Sequence, residues 1–292
     1  MLGIVGRIVR RQNPAGLTRV TRTAGSSFFS RSVSYAAEDV TLASSTEKEN
    51  IAISATKPKP LSLNPNSPLR VTDPPPTGFS GVALKLLGFY TRESQLIRGS
   101  KILYTRISAQ ADQPELYASF ALEKNFRTTH AMLLLHMWLT LVRLRAEGKD
   151  GSKVGQSLYE IFNHDLEKRV VGEGVKMLIS KWMKELEKNF YGAVEAYDAA
   201  MQPTAVKDAL ARALWRNVFA EDDSLMPTGA AAAPVKSLAR YVRREAACLA
   251  LTDSESLLSG NILFSHDFDV TQGTRETDST SLGQATSEPV PA

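Results

Sequence analysis

Residues 175–201, VKMLISKWMKELEKNFYGAVEAYDAAM, decide the fold. The apolar residues Val175, Leu178, Ile179, Trp182, Leu186, Phe190, Val194 and Tyr197 recur at steps of three and four, which a helix gathers on one face. Lys181, Lys184, Glu185 and Lys188 fall around the opposite side. A helix with one apolar stripe must bury it against a neighbour, so the chain needs more helices of the same kind.

They are there on both sides. Upstream, a helix is predicted over about residues 93–111, with Leu96, Ile97, Ile102, Leu103 and Ile107 at helical spacing, and Pro114 opens a short second one. The densest apolar run, 131–144, lies inside a helix predicted over 128–146. At about 14 residues it is shorter than the roughly 20 that span a bilayer, so it reads as a buried central helix. Another helix, over about 152–171, stops near Gly172 and Gly174. Downstream, Pro203 is expected to start a helix that reaches about Ala220, and a further one carries Val235, Leu238, Val242 and Leu249. Thr252-Asp253-Ser254-Glu255 fits a capping box and Gly260 a stop, which frames one short last helix. Strand signals are few, and the expected architecture is all-α: a single compact bundle of about seven helices over residues 82–268.

The two ends read differently. Residues 1–37 hold Arg7, Arg10, Arg11, Arg19, Arg22 and Arg31, with no lysine and no acid. A helix near the start would set Leu2, Ile4, Val5, Ile8 and Val9 against those arginines, the composition of a mitochondrial transit peptide; a basic arm retained on the protein is the alternative. Residues 38–81 are rich in Ser, Thr, Lys, Asn and Pro without a sustained apolar period, and are expected to form a disordered linker. Residues 269–292 are polar again and read as a disordered tail.

The formal charge of +4 comes from the first segment. Setting its six arginines aside leaves 29 of the 35 basic residues against 31 acids, so the helical part is close to neutral. A general affinity for nucleic acid loses its main support, and no specific DNA partner is expected. One cysteine, Cys248, leaves no intramolecular disulfide framework and no multi-cysteine metal cluster. No Walker loop, dinucleotide-binding glycine pattern, His-Glu-x-x-His or nucleophile elbow is present, so neither a cofactor nor an enzyme is indicated.

Several residue groups have two readings each. Phe190-Tyr191-Gly192 puts two aromatics about 100° apart on a helix, beside a glycine that would let a neighbouring backbone come close; this is either tight packing or the rim of a partner surface. Lys181, Lys184 and Lys188 form one basic stripe, and Lys236, Arg240, Arg243 and Arg244 another, either solvated faces or contacts to RNA or anionic lipid. His136 lies on the most apolar helix. His130 is six residues away, about 120° round the axis, so the two make no metal pair, and a hydrogen-bonded core histidine is the plainer reading. Asp165 and Glu167 do not face each other on a helix, and salt bridges to Lys168 or Arg169 account for them.

From Leu103 to Met201 the chain resembles the ubiquinol-cytochrome c chaperone family. The resemblance is carried by "YTRISAQADQPELY" from Tyr104, by "LLLHMWLTLVRLR" with His136, Arg143 and Arg145, by "NHDLEKRVVGEGV", and most specifically by "KWMKELEKNFYGAVEAYDAAM". Ala193, where many members have arginine, and Glu123-Lys124-Asn125 depart from the pattern. The resemblance implies a non-enzymatic assembly factor for respiratory complex III, on the matrix side of the mitochondrial inner membrane. It further implies that newly made cytochrome b is the client, with a small partner assembly protein, the mitochondrial ribosome and peripheral membrane contact as associates. Candidate partner or client residues are Trp138, Arg143, Arg145, Lys181, Trp182, Lys184, Phe190, Tyr191 and Tyr197, with Trp138, Trp182, Phe190 and Tyr191 near the floor or rim of an apolar groove. Two rivals remain at this point. A helical matrix enzyme would gather His136, Asp165 and Arg143 in one pocket. An RNA- or ribosome-binding factor would use the second basic stripe.

Overall fold

The computed structural model describes residues 57–73, 78–219, 225–266 and 268. The expected transit peptide, most of the linker's first half and nearly all of the tail lie outside these residues.

The core is built round a helix that is apolar on every side. Helix α4 (Phe126–Leu144) buries Met132, Leu133, Leu135, Met137 and Trp138 in successive positions, so it has neighbours all around. Asn125 caps it, accepting from Thr128 N at 3.0 Å while Thr128 Oγ1 accepts from Asn125 N at 3.1 Å. Four elements complete the surround: α2 (Arg92–Ala111), α5 (Gly148–Gly172), α8 (Ala233–Leu251), and the π-turn Trp215–Phe219 that follows α7 (Ala209–Leu214). Helix α6 (Ile179–Ala200) packs on α5 and α7. The short α3 (Pro114–Ser119) follows α2, and α1 (Gly78–Leu86) precedes it. The bundle is all-α, as the periodicity requires. Among the described residues the only β feature is an isolated antiparallel bridge between Ser62 and Ile262.

The last helix, α9 (Ser254–Ser259), crosses α2 with no room to spare. A methyl added to Gly99 would lie 1.9 Å from the Leu258 carbonyl oxygen, and one added to Gly260 would lie 2.7 Å from the Gly99 carbonyl oxygen. Gly260 also stops α9 in the left-handed region at φ 74°, as its position predicts. The cap at the other end is Asp253, which accepts from Ser256 N at 2.7 Å. Thr252, read as the capping residue, instead ends α8 and donates its hydroxyl to the Cys248 carbonyl.

Three expectations are corrected. Residues 175–178 are not helical: Gly174 (φ 87°) and Leu178 (φ 58°) both turn left-handed, so α6 begins only at Ile179 and Leu178 leaves the predicted face for solvent. Pro203 starts no helix. Residues 201–208 form turns held by Ala205 N to Gln202 O and Ala209 N to Val206 O, and Val206 is exposed because no neighbour needs its side chain. The third concerns the expected linker, whose residues 57–73 dock on the bundle. Leu61 and Leu63 are buried. Leu61 N donates to Thr252 Oγ1, Leu63 N to the Asn261 carbonyl and Leu263 N to the Leu61 carbonyl, each at 2.9 Å. Asn261 closes the junction, its side-chain oxygen accepting from Val71 N at 2.8 Å and its amide donating to the Val71 carbonyl at 2.9 Å. Backbone pairing across the sequence supplies here what local periodicity lacks.

Candidate functional site

The aromatic residues of the family-like motif divide into those that build the bundle and those at its surface. Phe190 and Tyr197 are fully buried and Trp138 nearly so. Trp138 packs against Tyr197, the ring centroids 5.1 Å apart and the planes tilted by 51°, and donates its indole N–H to Asp198 Oδ1 at 2.8 Å. Arg145 Nη2 holds the other oxygen of Asp198 at 3.0 Å. Trp138, Arg145 and Tyr197 therefore fasten α6 to the end of α4, and neither Trp138 nor Phe190 reaches a groove floor or rim as expected. Arg143 is buried too: Nε donates to the Leu249 carbonyl at 2.9 Å, Nη2 to the Thr252 carbonyl at 3.0 Å, and Nη1 pairs with Glu147. It clamps the carboxy end of α8, where the Leu249 carbonyl also accepts from Thr252 N at 3.2 Å.

What remains at the surface is the start of α6 and its junction with α5. A cavity of about 490 Å³ opens there, lined by Tyr159, Asn163 and His164 of α5 and Ile179, Met183 and Lys184 of α6. Tyr159 forms its floor, backed by the Phe190 ring at 5.2 Å, and its hydroxyl accepts from that of Tyr191, which does not line the cavity, at 3.2 Å. Burial raises the pKa of both phenols, so both stay protonated. Beside the cavity the chain leaves apolar side chains outside: Met177 is 80%, Leu178 69% and Trp182 53% exposed. Lys181 and Lys184 are exposed on the same turns. Leu178 holds left-handed backbone without a glycine's freedom, a local cost of roughly 1–2 kcal/mol at the lip of the cavity. Sequence reasoning missed Met177, Met183 and Tyr159. The Gly172 and Gly174 break was the available signal, since it displaces the start of α6 and exposes the residues before it.

Gly192 has nothing within 4 Å of an added methyl, so no backbone approaches it; the close packing expected at Phe190-Tyr191-Gly192 rests on the two aromatics, Phe190 buried and Tyr191 partly so. The second basic stripe also divides. Lys236 and Arg240 are exposed and Arg243 is half-buried. Arg244 turns inward, donating to Ser265 Oγ at 2.7 Å and facing Glu245, a carboxyl whose pKa burial raises.

The residues of the enzyme rival sit in three separate networks. His136 is fully enclosed: its Nδ1–H donates to the Met132 carbonyl at 2.7 Å, and Nε2 accepts from the Tyr241 hydroxyl at 2.7 Å. The carbonyl at Nδ1 fixes the proton there, and burial pushes the imidazole pKa down to about 4, so His136 is neutral. Asp165 accepts from Tyr104 at 2.7 Å and from Arg169 Nε at 2.7 Å, and Arg169 continues to Asp112. Arg143 serves α8, as above. The Cys248 thiol is buried and pushed up to about 11 by that burial. Among the described residues no group of His, Cys, Asp and Glu is arranged to hold a metal ion, and no helix is long and apolar enough to cross a membrane.

Residues 118–264, half of the chain, match the family described as ubiquinol-cytochrome C chaperone. Ubiquinol-cytochrome c reductase complex assembly factor 1 of Mus musculus is 28% identical over 160 residues, which cover 53% of this chain and 50% of that protein. Its Xenopus laevis counterpart is 27% identical over 161 residues, covering 53% of this chain and 74% of that one. The match thus spans about half the length of the mouse relative. The crystal structure of the Cbp3 homolog from Brucella abortus superposes with a TM-score of 0.53 at 30% identity, over 64% of this chain and 98% of that one. Helix α4 with its closed polar contacts, α6 with its aromatic motif and the turn to Phe264 all lie inside the matched stretch, and the chain belongs to the ubiquinol-cytochrome c chaperone family.

Proposed function

We propose that this protein is an assembly chaperone of mitochondrial respiratory complex III that holds newly synthesised cytochrome b at the matrix face of the inner membrane. One observation carries the site: an apolar lip of Met177, Leu178 and Trp182 stands beside a cavity floored by Tyr159. Soluble surfaces seldom leave large apolar side chains grouped in this way unless another chain covers them. The cavity accepts a few side chains of an apolar helix, while the lip covers the turns on either side. Lys184 beside Glu160, Glu167 and Glu187 orients the occupant and excludes one with the wrong charge pattern, with Lys181 exposed on the same turns. The bound client is thereby kept from aggregating until its cofactors and partner subunits join.

In this reading a small partner assembly protein shares part of the exposed surface. Lys236 and Arg240 are the residues with which the chain would approach the mitochondrial ribosome, since Arg244 is committed to Glu245 and Ser265. The test is a mild-detergent pull-down from mitochondria translating their own genome, with the protein and its Met177→Glu/Trp182→Glu variant. Both substituted side chains face solvent, so the fold is retained. Labelled cytochrome b should be recovered with the former and lost with the latter; equal recovery with both would remove the site, and recovery of matrix metabolic enzymes alone would remove the function.

A further inference from the structure

Helix α1 and the residue that follows it leave Val82, Leu86 and Leu87 outside. Leu86 is 84%, Leu87 82% and Val82 57% exposed. Val82 and Leu86 are one turn apart and share a face with Lys85. The turn that follows the helix is fixed to the start of α2. Thr91 Oγ1 and Ser94 Oγ donate to the Gly88 carbonyl at 2.7 and 2.9 Å. Arg98 donates to the Phe89 carbonyl at 2.8 Å, and its guanidinium lies 3.8 Å over the Phe89 ring. The apolar stripe is thus presented on a fixed post and not on a loose end.

Shape and charge together select the occupant. Side chains that stand four-fifths out of the surface form a ridge and cannot wrap a partner helix, unlike the half-buried Ile179 and Met183 of the cavity. A flat apolar medium accepts such a ridge. Residues 78–91 carry Lys85 and no acid, and Phe89 and Tyr90 follow the leucines, the order of apolar, cationic and aromatic groups that suits an anionic lipid interface; Arg92, the next residue, pairs with Asp150 at 2.8 Å. At nine residues α1 is too short to span a bilayer and would lie in the plane of its surface.

We infer that α1 is a lipid-contact helix, with Val82, Leu86 and Leu87 entering the acyl boundary of an anionic bilayer and Lys85 at headgroup level. This deepens the reading of a chaperone working at a membrane, and it is tested without any client, so its failure leaves the cytochrome b experiment untouched. The full chain carrying Leu86→Cys is labelled with an environment-sensitive dye; buried Cys248, its thiol pushed up to about 11, does not compete. A second chain labelled through Thr105→Cys, on the exposed side of α2, serves as control. The arginine-rich first segment can itself bring the chain to vesicles, so the dye at position 86 decides, not sedimentation. With vesicles of phosphatidylcholine and phosphatidylglycerol, the dye at 86 should shift to the blue and be quenched by brominated acyl chains, and the dye at 105 should not. In the same chain Leu87→Glu should weaken the quenching at 86 about tenfold or more in lipid concentration. A dye at 86 that stays in water with these vesicles overturns the proposal. So does a shift that grows with protein concentration in the absence of lipid, which would assign the face to a second copy of the chain.

Discussion

His130 should make this protein labile in acid, and one substitution should remove its share of the effect. Its imidazole is buried between the Phe126 and Phe162 rings, at 6.3 and 6.5 Å, and Nε2 has no hydrogen-bond partner. Burial pushes its pKa down to about 4 from 6.5. The unfolded chain therefore binds a proton between those values that the folded chain refuses, so stability falls as the pH drops through 6.5 and keeps falling until about 4. Between about pH 7.5 and about pH 5 this amounts to about 2 kcal/mol, and His136, also pushed down to about 4, adds as much again. Glu245 works the other way, because a carboxyl with a raised pKa is more stabilising in acid than in base, but it is common to both proteins compared. His130→Leu keeps the volume and removes the proton site. In urea unfolding at the two pH values, the variant should lose about 2 kcal/mol less than the wild type, a difference of about 1 M in midpoint at an ordinary slope. Equal losses in the two proteins would refute the assignment of His130 as a buried neutral base.

Two glycines should respond in opposite directions. Gly192→Ala should raise stability by about 0.5–1 kcal/mol in a melting experiment, since the methyl meets nothing and helix propensity improves. Gly99→Ala should cost about 3 kcal/mol or more, because the α2–α9 crossing has to open. Arg143→Ala should destabilise by about 2–4 kcal/mol, because the Thr252 carbonyl loses its Arg143 donor while the Leu249 carbonyl keeps only Thr252 N and Glu147 only Ser254 Oγ, with no change in pull-down specificity for the molecules that still fold. Leu61→Ala should cost about 2–3 kcal/mol and expose residues 57–73 to limited proteolysis, although the sequence there looks like a linker.

The bundle was legible because α4 is apolar all round and α6 has a stripe, two patterns that only packed helices satisfy. The docking of residues 57–73 was not legible. Leu61 and Leu63 stand two apart in a proline-rich stretch, and their burial depends on Ile262 and Asn261, about two hundred residues away, which no local period records. In the site, the residue types were informative and their directions were not. The stripe of α6 is half-buried at Ile179 and Met183, exposed at Trp182 and fully covered only from Leu186 onward. Which part of a continuous stripe stays uncovered is set by where α5 ends, and the glycine pair after Val171 marks that point only indirectly. Likewise Arg143, Arg145 and Arg244 looked like surface cations, yet their acceptors are carbonyls and acids brought in by tertiary contact.

The junction of Leu61, Leu63 and Val71 with Thr252 and Asn261 joins residues 57–73 to the segment that flanks α9. A polypeptide that emerges amino end first therefore exhibits these two leucines throughout its own synthesis or translocation, and can seal the seam only when the final loop arrives. The domain carries its own completion signal. A chain cut short before Asn261 should leave residues 57–73 without these partners and open to proteolysis.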